Sequence, residues 1–149
     1  MTNEFKPKED YLKYWRVIRY FMQAKYKISS SDIELLLFLY SEKYFNKSKF
    51  YEFDQLISWD RKRFKRLIDD DWIIVFRKKK GKQTTLYEMS YKGRRMIGTM
   101  YKKLNGEELP EGKVCNPLFS KNTNYTDKLY RDMIIEMNKF IRQQRHQTP

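Results

Sequence analysis

The sequence predicts a mainly α-helical chain that carries one small β-hairpin. Several segments place apolar residues three and four positions apart, which is the repeat of a helix with one buried face. One segment changes to β-branched and aromatic residues on both sides of Gly81, which indicates two strands joined by a turn. With 149 residues, 40% of them hydrophobic and 17% aromatic, the chain is long and apolar enough for one compact domain with helical extensions.

The first predicted helix covers residues 9 to about 27. Leu12, Trp15, Ile18 and Met22 recur there at helical spacing and form one apolar face. The next predicted helix is ELLLFLYSEKYF, which is largely apolar and follows the capping sequence SSSD. We expect Ser31 and Glu34 to form a capping box at its start.

Two short elements are predicted after the buried helix. Polar residues 46–49 end that helix, and residues 50–57 predict either a short helix or an extended segment that turns into one. A helix from Ser58, capped by Ser58 or Asp60, is predicted next because Phe64, Leu67 and Ile68 form a narrow apolar stripe. Cations occupy its opposite side and flanks: Arg61, Lys62, Lys65 and Arg66.

The hairpin is predicted from WIIVFRKKK and TTLYEMS, with Gly81 in the turn between them. Cations collect near its tip: Arg77, Lys78, Lys79, Lys80 and Lys82. A further helix begins at Ser90, a long loop covers residues 105–125, and a terminal helix follows. The apolar stripe of the terminal helix contains Leu129, Tyr130, Met133, Ile134, Met137, Phe140 and Ile141.

This order of elements resembles that of a winged helix-turn-helix with additional N- and C-terminal helices. The segment ISWDRKRFKRLIDDDWIIVFRKKKGKQTTLYEMSYKGRRMI resembles the core of MarR-type winged-helix transcriptional regulators. In that family a recognition helix ends in acidic residues, and the wing leads into a T/S-x-K-G-R helix start, here residues 90–94. The resemblance covers roughly residues 29–104. The wing RKKKGKQT lacks the family's usual Asp-x-Arg pattern and the loop after Leu104 is longer, so no ligand pocket is implied.

Four regions follow from this comparison: an N-terminal helix (1–28), a winged-helix DNA-binding core (29–104), a long loop (105–125) and a C-terminal helix (126–149). MarR-like proteins pair their terminal helices into a two-fold dimer, so the resemblance implies a homodimer. The alternative is that both terminal helices pack on their own domain through the long loop.

The net charge of +13 indicates an anionic partner, either nucleic acid or an acidic membrane surface. On a winged helix, the cations of the basic helix would contact phosphates while one or two arginines read guanine edges, and the wing cations would contact phosphates. We therefore expect a double-stranded DNA-binding protein, in particular a transcriptional regulator. The alternative is a winged-helix structural or adaptor protein that binds protein, RNA or DNA without regulating transcription.

Catalysis is not expected, and neither is a metal or another cofactor. His146 and Cys115 have no companions at the spacing of a nucleophile or a metal site. The carboxylates at residues 69–71 would point about 100° apart on a helix and would not converge. No signal peptide or membrane span is predicted, since the longest apolar run covers only residues 35–40. A cytoplasmic or nucleoid-associated protein is expected.

The three tryptophans allow two interpretations. An exposed indole could stack on unpaired bases, whereas a buried one would only fill the core. Trp72 lies at the junction of the basic helix and the first strand, where a large apolar residue closes the core, so we predict that it is buried. Trp59 lies beside a predicted helix cap, and both interpretations remain open for it.

Overall fold

The computed structural model describes residues 10–147, so the predicted helix start at Glu9 lies outside the described residues. It is mainly helical with one two-stranded antiparallel sheet, as the sequence predicts. The elements are α1 (Tyr11–Tyr26), α2 (Ser30–Tyr40), α3 (Lys47–Ile57), α4 (Arg63–Asp69), β1 (Ile73–Arg77), β2 (Leu86–Met89), α5 (Tyr91–Leu104), a 3-10 turn (Pro117–Phe119) and α6 (Tyr125–Gln147). No helix among these combines the length and the apolar character needed to cross a membrane.

The chain divides into two compact units. The central unit is the continuous segment Ile28–Thr99, and the terminal unit combines the described parts of Met1–Lys27 and Met100–Pro149. The central unit therefore holds α2, α3, α4, the hairpin and the first part of α5. The terminal unit holds α1, the long loop and α6.

The start of α2 differs from the predicted capping box. Ser29 is the cap, since its hydroxyl accepts the backbone N–H of Asp32 at 3.1 Å. The helix begins one residue before Ser31, so the predicted pairing of Ser31 with Glu34 is wrong. The carboxylate of Asp32 is buried among other elements of the central unit.

The end of α2 and the start of α3 also differ from prediction. The helix α2 ends at Tyr40, and Phe45 forms an isolated antiparallel bridge with Tyr87 of β2. The amide oxygen of Asn46 accepts the backbone N–H of Lys49 at 2.9 Å and caps α3. The polar residues 46–49 thus begin a helix as well as ending the preceding segment, and residues 50–57 are helical.

The hairpin forms as predicted. β1 pairs antiparallel with β2, and a bulge between Val75 and Arg77 interrupts the register. Lys80 and Gln83 close the tip, and Gly81 adopts a φ of +61°, which glycine reaches without steric cost. With the Phe45 bridge on the other side of β2, the order across the sheet is Phe45, β2, β1.

The residues of the helix start SYKGR make close contacts within the central unit, which account for the residue types found there. The hydroxyl of Ser90 accepts the backbone N–H of Gly93 at 3.0 Å. The ammonium of Lys92 donates to the carbonyl of Asp70 at 2.9 Å and lies 4.0 Å from the ring centroid of Trp72. A Cβ on Gly93 would lie 3.1 Å from the carbonyl oxygen of Trp72, so a larger residue requires the turn and α5 to separate.

Each unit has an apolar core of its own. In the central unit the buried side chains include Ile33, Leu35, Leu36, Leu39, Phe50, Leu67, Trp72, Ile73, Met96 and Ile97. In the terminal unit they include Val17, Ile18, Phe21, Met22, Leu109, Leu118, Ile134, Met137 and Ile141. Trp72 is thereby confirmed as a core residue.

The long loop packs on α6 through polar contacts. The buried amide of Asn138 accepts the backbone N–H of Leu109 at 3.0 Å and donates to its carbonyl at 2.9 Å. Arg142 bonds both Glu108 and Glu111 at 2.7 Å. These contacts explain how a segment with little regular structure is held in place. The helix α6 reaches Gln147, so His146 lies in its last turn.

Candidate nucleic-acid interface

The tip of the hairpin is the strongest concentration of unpaired positive charge in the central unit. Its five cations are all exposed: Arg77, Lys78, Lys79, Lys80 and Lys82. Within residues 10–147, none of them forms an ion pair with a carboxylate. Their charge is therefore available to an anionic partner. We call this group the wing cluster.

Several cations around α4 are paired with carboxylates, unlike those of the wing cluster, and Arg63 is the clearest case. Its guanidinium is buried and donates to Asp32 at 2.9 Å and to Asp54. It also donates to the carbonyl and the hydroxyl of Ser58, at 2.7 and 2.9 Å. Burial alone would lower the pKa of Arg63, but the hydrogen bonds to Asp32 and Asp54 outweigh it and raise the pKa. Arg63 is thus a charged residue of the core.

Arg66 extends this network toward the surface. It forms a two-pronged pair with Asp32, with both contacts at 2.8 Å, and donates to Asp60 at 2.9 Å. The hydrogen bonds from Arg66 and from the backbone N–H of Lys62 lower the pKa of Asp60. Arg66 was predicted as a DNA contact, and the structure places most of its hydrogen-bonding capacity inside the protein. We call Asp32, Asp54, Asp60, Arg63 and Arg66 the buried ion network.

Arg61 and Lys62 do not lie on α4. Ser58, predicted as the start of this helix, is instead the C-cap of α3, because its N–H bonds to the carbonyl of Asp54 at 3.2 Å. Asp60 then accepts the backbone N–H of Lys62 at 2.9 Å, and α4 begins only at Arg63. Arg61 and Lys62 therefore project from the exposed turn that precedes α4.

Lys65 is the predicted contact that lies on the exposed face of α4. Its ammonium pairs with Asp69, one helical turn later, at 2.8 Å, and its side chain is 81% exposed. The hydrogen bond that Lys65 donates to Asp69 raises the pKa of Lys65. Pairs this exposed contribute little to stability, so a phosphate can compete with Asp69 for this ammonium.

The sequence did not identify Arg63 as different from its basic neighbours. The residues that could have distinguished Arg63 from its neighbours are Asp32 and Asp54, which lie elsewhere in the chain. Each is an acid on the apolar side of a helical segment, where a carboxylate requires a buried cation. Two such acids and one run of arginines would have predicted the buried ion network.

The remaining residues considered for catalysis or metal binding do not form a cluster in the part of the chain that the structure describes. Asp69 is paired with Lys65, whereas Asp71 adopts a φ of +64° in the turn that leads into β1. Cys115 is exposed. Across residues 10–147, no group of three or more His, Cys, Asp and Glu side chains is placed to hold a metal ion.

Trp59 lies in the same turn as Arg61 and Lys62. Its side chain is 73% exposed, and the guanidinium of Arg61 lies over its ring, 5.2 Å from the ring centroid. This excludes the interpretation that Trp59 only fills the core of the central unit.

A scan against protein-family models and searches of curated proteins and of solved structures find no match for this chain.

Proposed function

We propose that this protein binds double-stranded DNA through a winged helix-turn-helix formed by the central unit. In this proposal α3 and α4 are the helix-turn-helix and the β1–β2 hairpin is the wing. The observation that carries it is the wing cluster, five exposed cations that no carboxylate of the described chain neutralises. The element order supports the fold, because an isolated bridge from Phe45 to Tyr87 adds a one-residue third partner to the two-stranded hairpin.

The contacts divide between phosphates and bases. The wing cluster is four-fifths lysine, a flexible point charge that suits phosphates better than base edges. Lys62 and Lys65 add phosphate contacts from the turn and from α4. We assign base reading to Arg61, because Arg66 already donates to Asp32 and Asp60. Arg66 then acts mainly by holding the turn.

We further propose that two copies associate through a groove in the terminal unit. Leu129, Met133 and Phe140 of α6 are each partly exposed and line a groove of about 480 Å³ together with α1. Its rim carries Lys13 on one side and Asp132 and Glu136 on the other. In a two-fold pair, the Lys13 side of one copy meets the acidic side of the other, so a second copy is the occupant that we propose.

A two-fold DNA-binding protein reads two half-sites about one helical turn apart. We therefore propose transcriptional regulation as the biological role. The test is selection from a randomised duplex pool followed by sequencing. Enrichment of a pseudo-palindrome is the expected result, and a pool that stays flat would contradict sequence-specific binding.

A matched charge variant tests which surface binds. Changing Arg61, Lys62 and Lys65 to alanine should strongly weaken duplex binding. Changing Lys113, Lys121 and Lys128 to alanine removes the same charge from exposed positions of the terminal unit and should have a much smaller effect. Equal losses in both variants would show that net charge alone, rather than this interface, determines binding.

A second candidate function is a winged-helix structural or adaptor protein. The observation that favours it is an exposed apolar patch of the central unit, where Phe38 of α2 and Leu56 of α3 lie beside Leu37 and Ile57. Such a patch fits a protein partner better than it fits DNA. A flat duplex pool combined with unchanged affinity in the Arg61, Lys62 and Lys65 variant would favour this function.

A further inference from the structure

Trp59 is the most exposed of the three tryptophans. Trp72 is buried and Trp15 is half-buried, whereas the side chain of Trp59 is 73% exposed. A large aromatic residue usually contributes by burying its rings in a core or an interface. Trp59 buries little within the central unit, so its rings are available to a partner.

The residues on both sides of Trp59 are bonded to the buried ion network. Arg63 donates to the carbonyl of Ser58 at 2.7 Å and to its hydroxyl at 2.9 Å. On the other side, Arg66 donates to Asp60 at 2.9 Å. The turn that carries the exposed indole is therefore held by these bonds before any ligand arrives, which reduces the entropy that binding must remove.

Cations surround the indole on its own turn. The guanidinium of Arg61 lies over the ring at 5.2 Å, and Lys62 is exposed on the same turn. An aromatic ring flanked by cations is the arrangement that stacks nucleobases while it binds their phosphates. Because Arg61 covers one face, a single base can stack on Trp59. Insertion between two stacked base pairs would need both faces.

We propose that Trp59 is a stacking platform for one unpaired DNA base adjoining the duplex that the wing holds. The preferred substrate is then DNA in which a duplex borders unpaired nucleotides, as at an opened or melted site. The proposal rests on the proposed function, because the wing cluster supplies the duplex contact.

The experiment compares two labelled DNAs, a blunt duplex and the same duplex with a short unpaired extension, by fluorescence anisotropy. The change Trp59→Ala should weaken binding to the extended DNA by roughly 5- to 150-fold and leave the blunt duplex almost unaffected. Trp59→Phe should retain part of the preference. Tyr125→Ala removes a comparably exposed aromatic residue, at 75%, from the terminal unit and should change neither affinity.

The possible outcomes separate this proposal from the proposed function. If the wild-type protein binds both DNAs equally and Trp59→Ala has no effect, the stacking platform is overturned while duplex binding stands. Equal losses on both DNAs would overturn it as well. Binding to the extended DNA alone, lost in Trp59→Ala, would support stacking and contradict a duplex-binding function. Binding to neither DNA would overturn both. Unchanged circular dichroism and thermal unfolding of Trp59→Ala show that its fold is retained.

Discussion

At the scale of single residues, two glycines of α5 have opposite surroundings. A Cβ on Gly93 would lie 3.0 Å from the side chain of Met89 and 3.1 Å from the carbonyl oxygen of Trp72. A Cβ on Gly98 would find its nearest neighbour, the hydroxyl of Tyr40, only at 4.0 Å. The same substitution therefore tests packing at one site and helix propensity at the other.

We expect Gly93→Ala to lower the free energy of unfolding by about 1–3 kcal/mol, because the backbone of Trp72 must move away. Gly98→Ala should raise it by up to about 1 kcal/mol, since alanine loses less conformational entropy in a helix. Urea denaturation measures both changes. An unchanged free energy of unfolding in Gly93→Ala would show that the backbone of the turn before β1 moves at little energetic cost.

Arg63 and Lys65 make a second residue-scale comparison, because they are close in sequence but differ in burial. Arg63→Ala leaves the buried carboxylate of Asp54 without its cation and leaves Asp32 with Arg66 alone, so we expect a loss of about 3–5 kcal/mol. Lys65→Ala removes only the exposed pair with Asp69 and should change stability by less than about 0.5 kcal/mol. Chemical denaturation followed by circular dichroism checks both values. Similar losses in the two variants would contradict a structural role specific to Arg63.

At the scale of elements, the hairpin and the α4 region share a basic character but differ in how much of it is neutralised. The wing cluster has no carboxylate partners among the described residues, whereas Arg63 and Arg66 of α4 belong to the buried ion network and Lys65 pairs with Asp69. Backbone contacts should therefore depend mainly on the hairpin.

Salt dependence tests this division. Changing Lys78, Lys79 and Lys80 to glutamine should flatten the slope of log affinity against log salt by roughly two to three per protomer, since each phosphate contact contributes about −0.9. All DNA sequences should weaken about equally. Arg61→Ala should instead cost about 1–3 kcal/mol on the selected site and much less on random DNA. A wing variant that loses sequence preference but keeps the full slope would reverse the two assignments.

Element types were more predictable from the sequence than element boundaries. The hairpin, α5 and α6 form as predicted, because strand-forming residues around Gly81 and helical apolar spacing are local signals. The starts of α2 and α4 were misplaced because several serines and aspartates compete as caps there. Ser29 caps α2, while Ser58 ends α3 through a bond to Asp54.

Within the candidate site, the sequence predicted exposure of the wing cluster but did not predict which cations around α4 form buried ion pairs and which are exposed. Local composition shows five cations in six residues and gives no reason to separate them. The separation depends on Asp32, which is 31 residues before Arg63 and is brought to it only by packing. The exposure of Trp59 follows from the same packing, because the network fixes the turn that carries it.

At the scale of the whole molecule, α6 has both a buried and a partly exposed apolar side. Ile134, Met137 and Ile141 pack in the terminal unit, so deleting α6 would also damage the fold. A point substitution in the groove separates association from folding. Met133 is partly exposed and lines the groove.

We expect Met133→Lys to shift the protein from dimer to monomer in analytical ultracentrifugation. An unpaired charge at a buried interface costs about 2 kcal/mol or more, or roughly a 30-fold rise in Kd. The control Gln143→Lys places the same charge at an exposed position of α6 outside the groove lining and should leave association unchanged. A wild-type protein that is already monomeric at micromolar concentration would contradict the dimer.

The terminal unit is assembled from both ends of the chain, and this affects the order of events during synthesis. The central unit is continuous and can fold as soon as it has emerged, whereas the apolar face of α1 must wait for α6. About 100 residues separate the two helices, so at 5–20 residues per second the wait is on the order of 5–20 s. For that interval Val17, Ile18, Phe21 and Met22 lack their native cover, which makes α1 the segment of the nascent chain where chaperones are expected to bind.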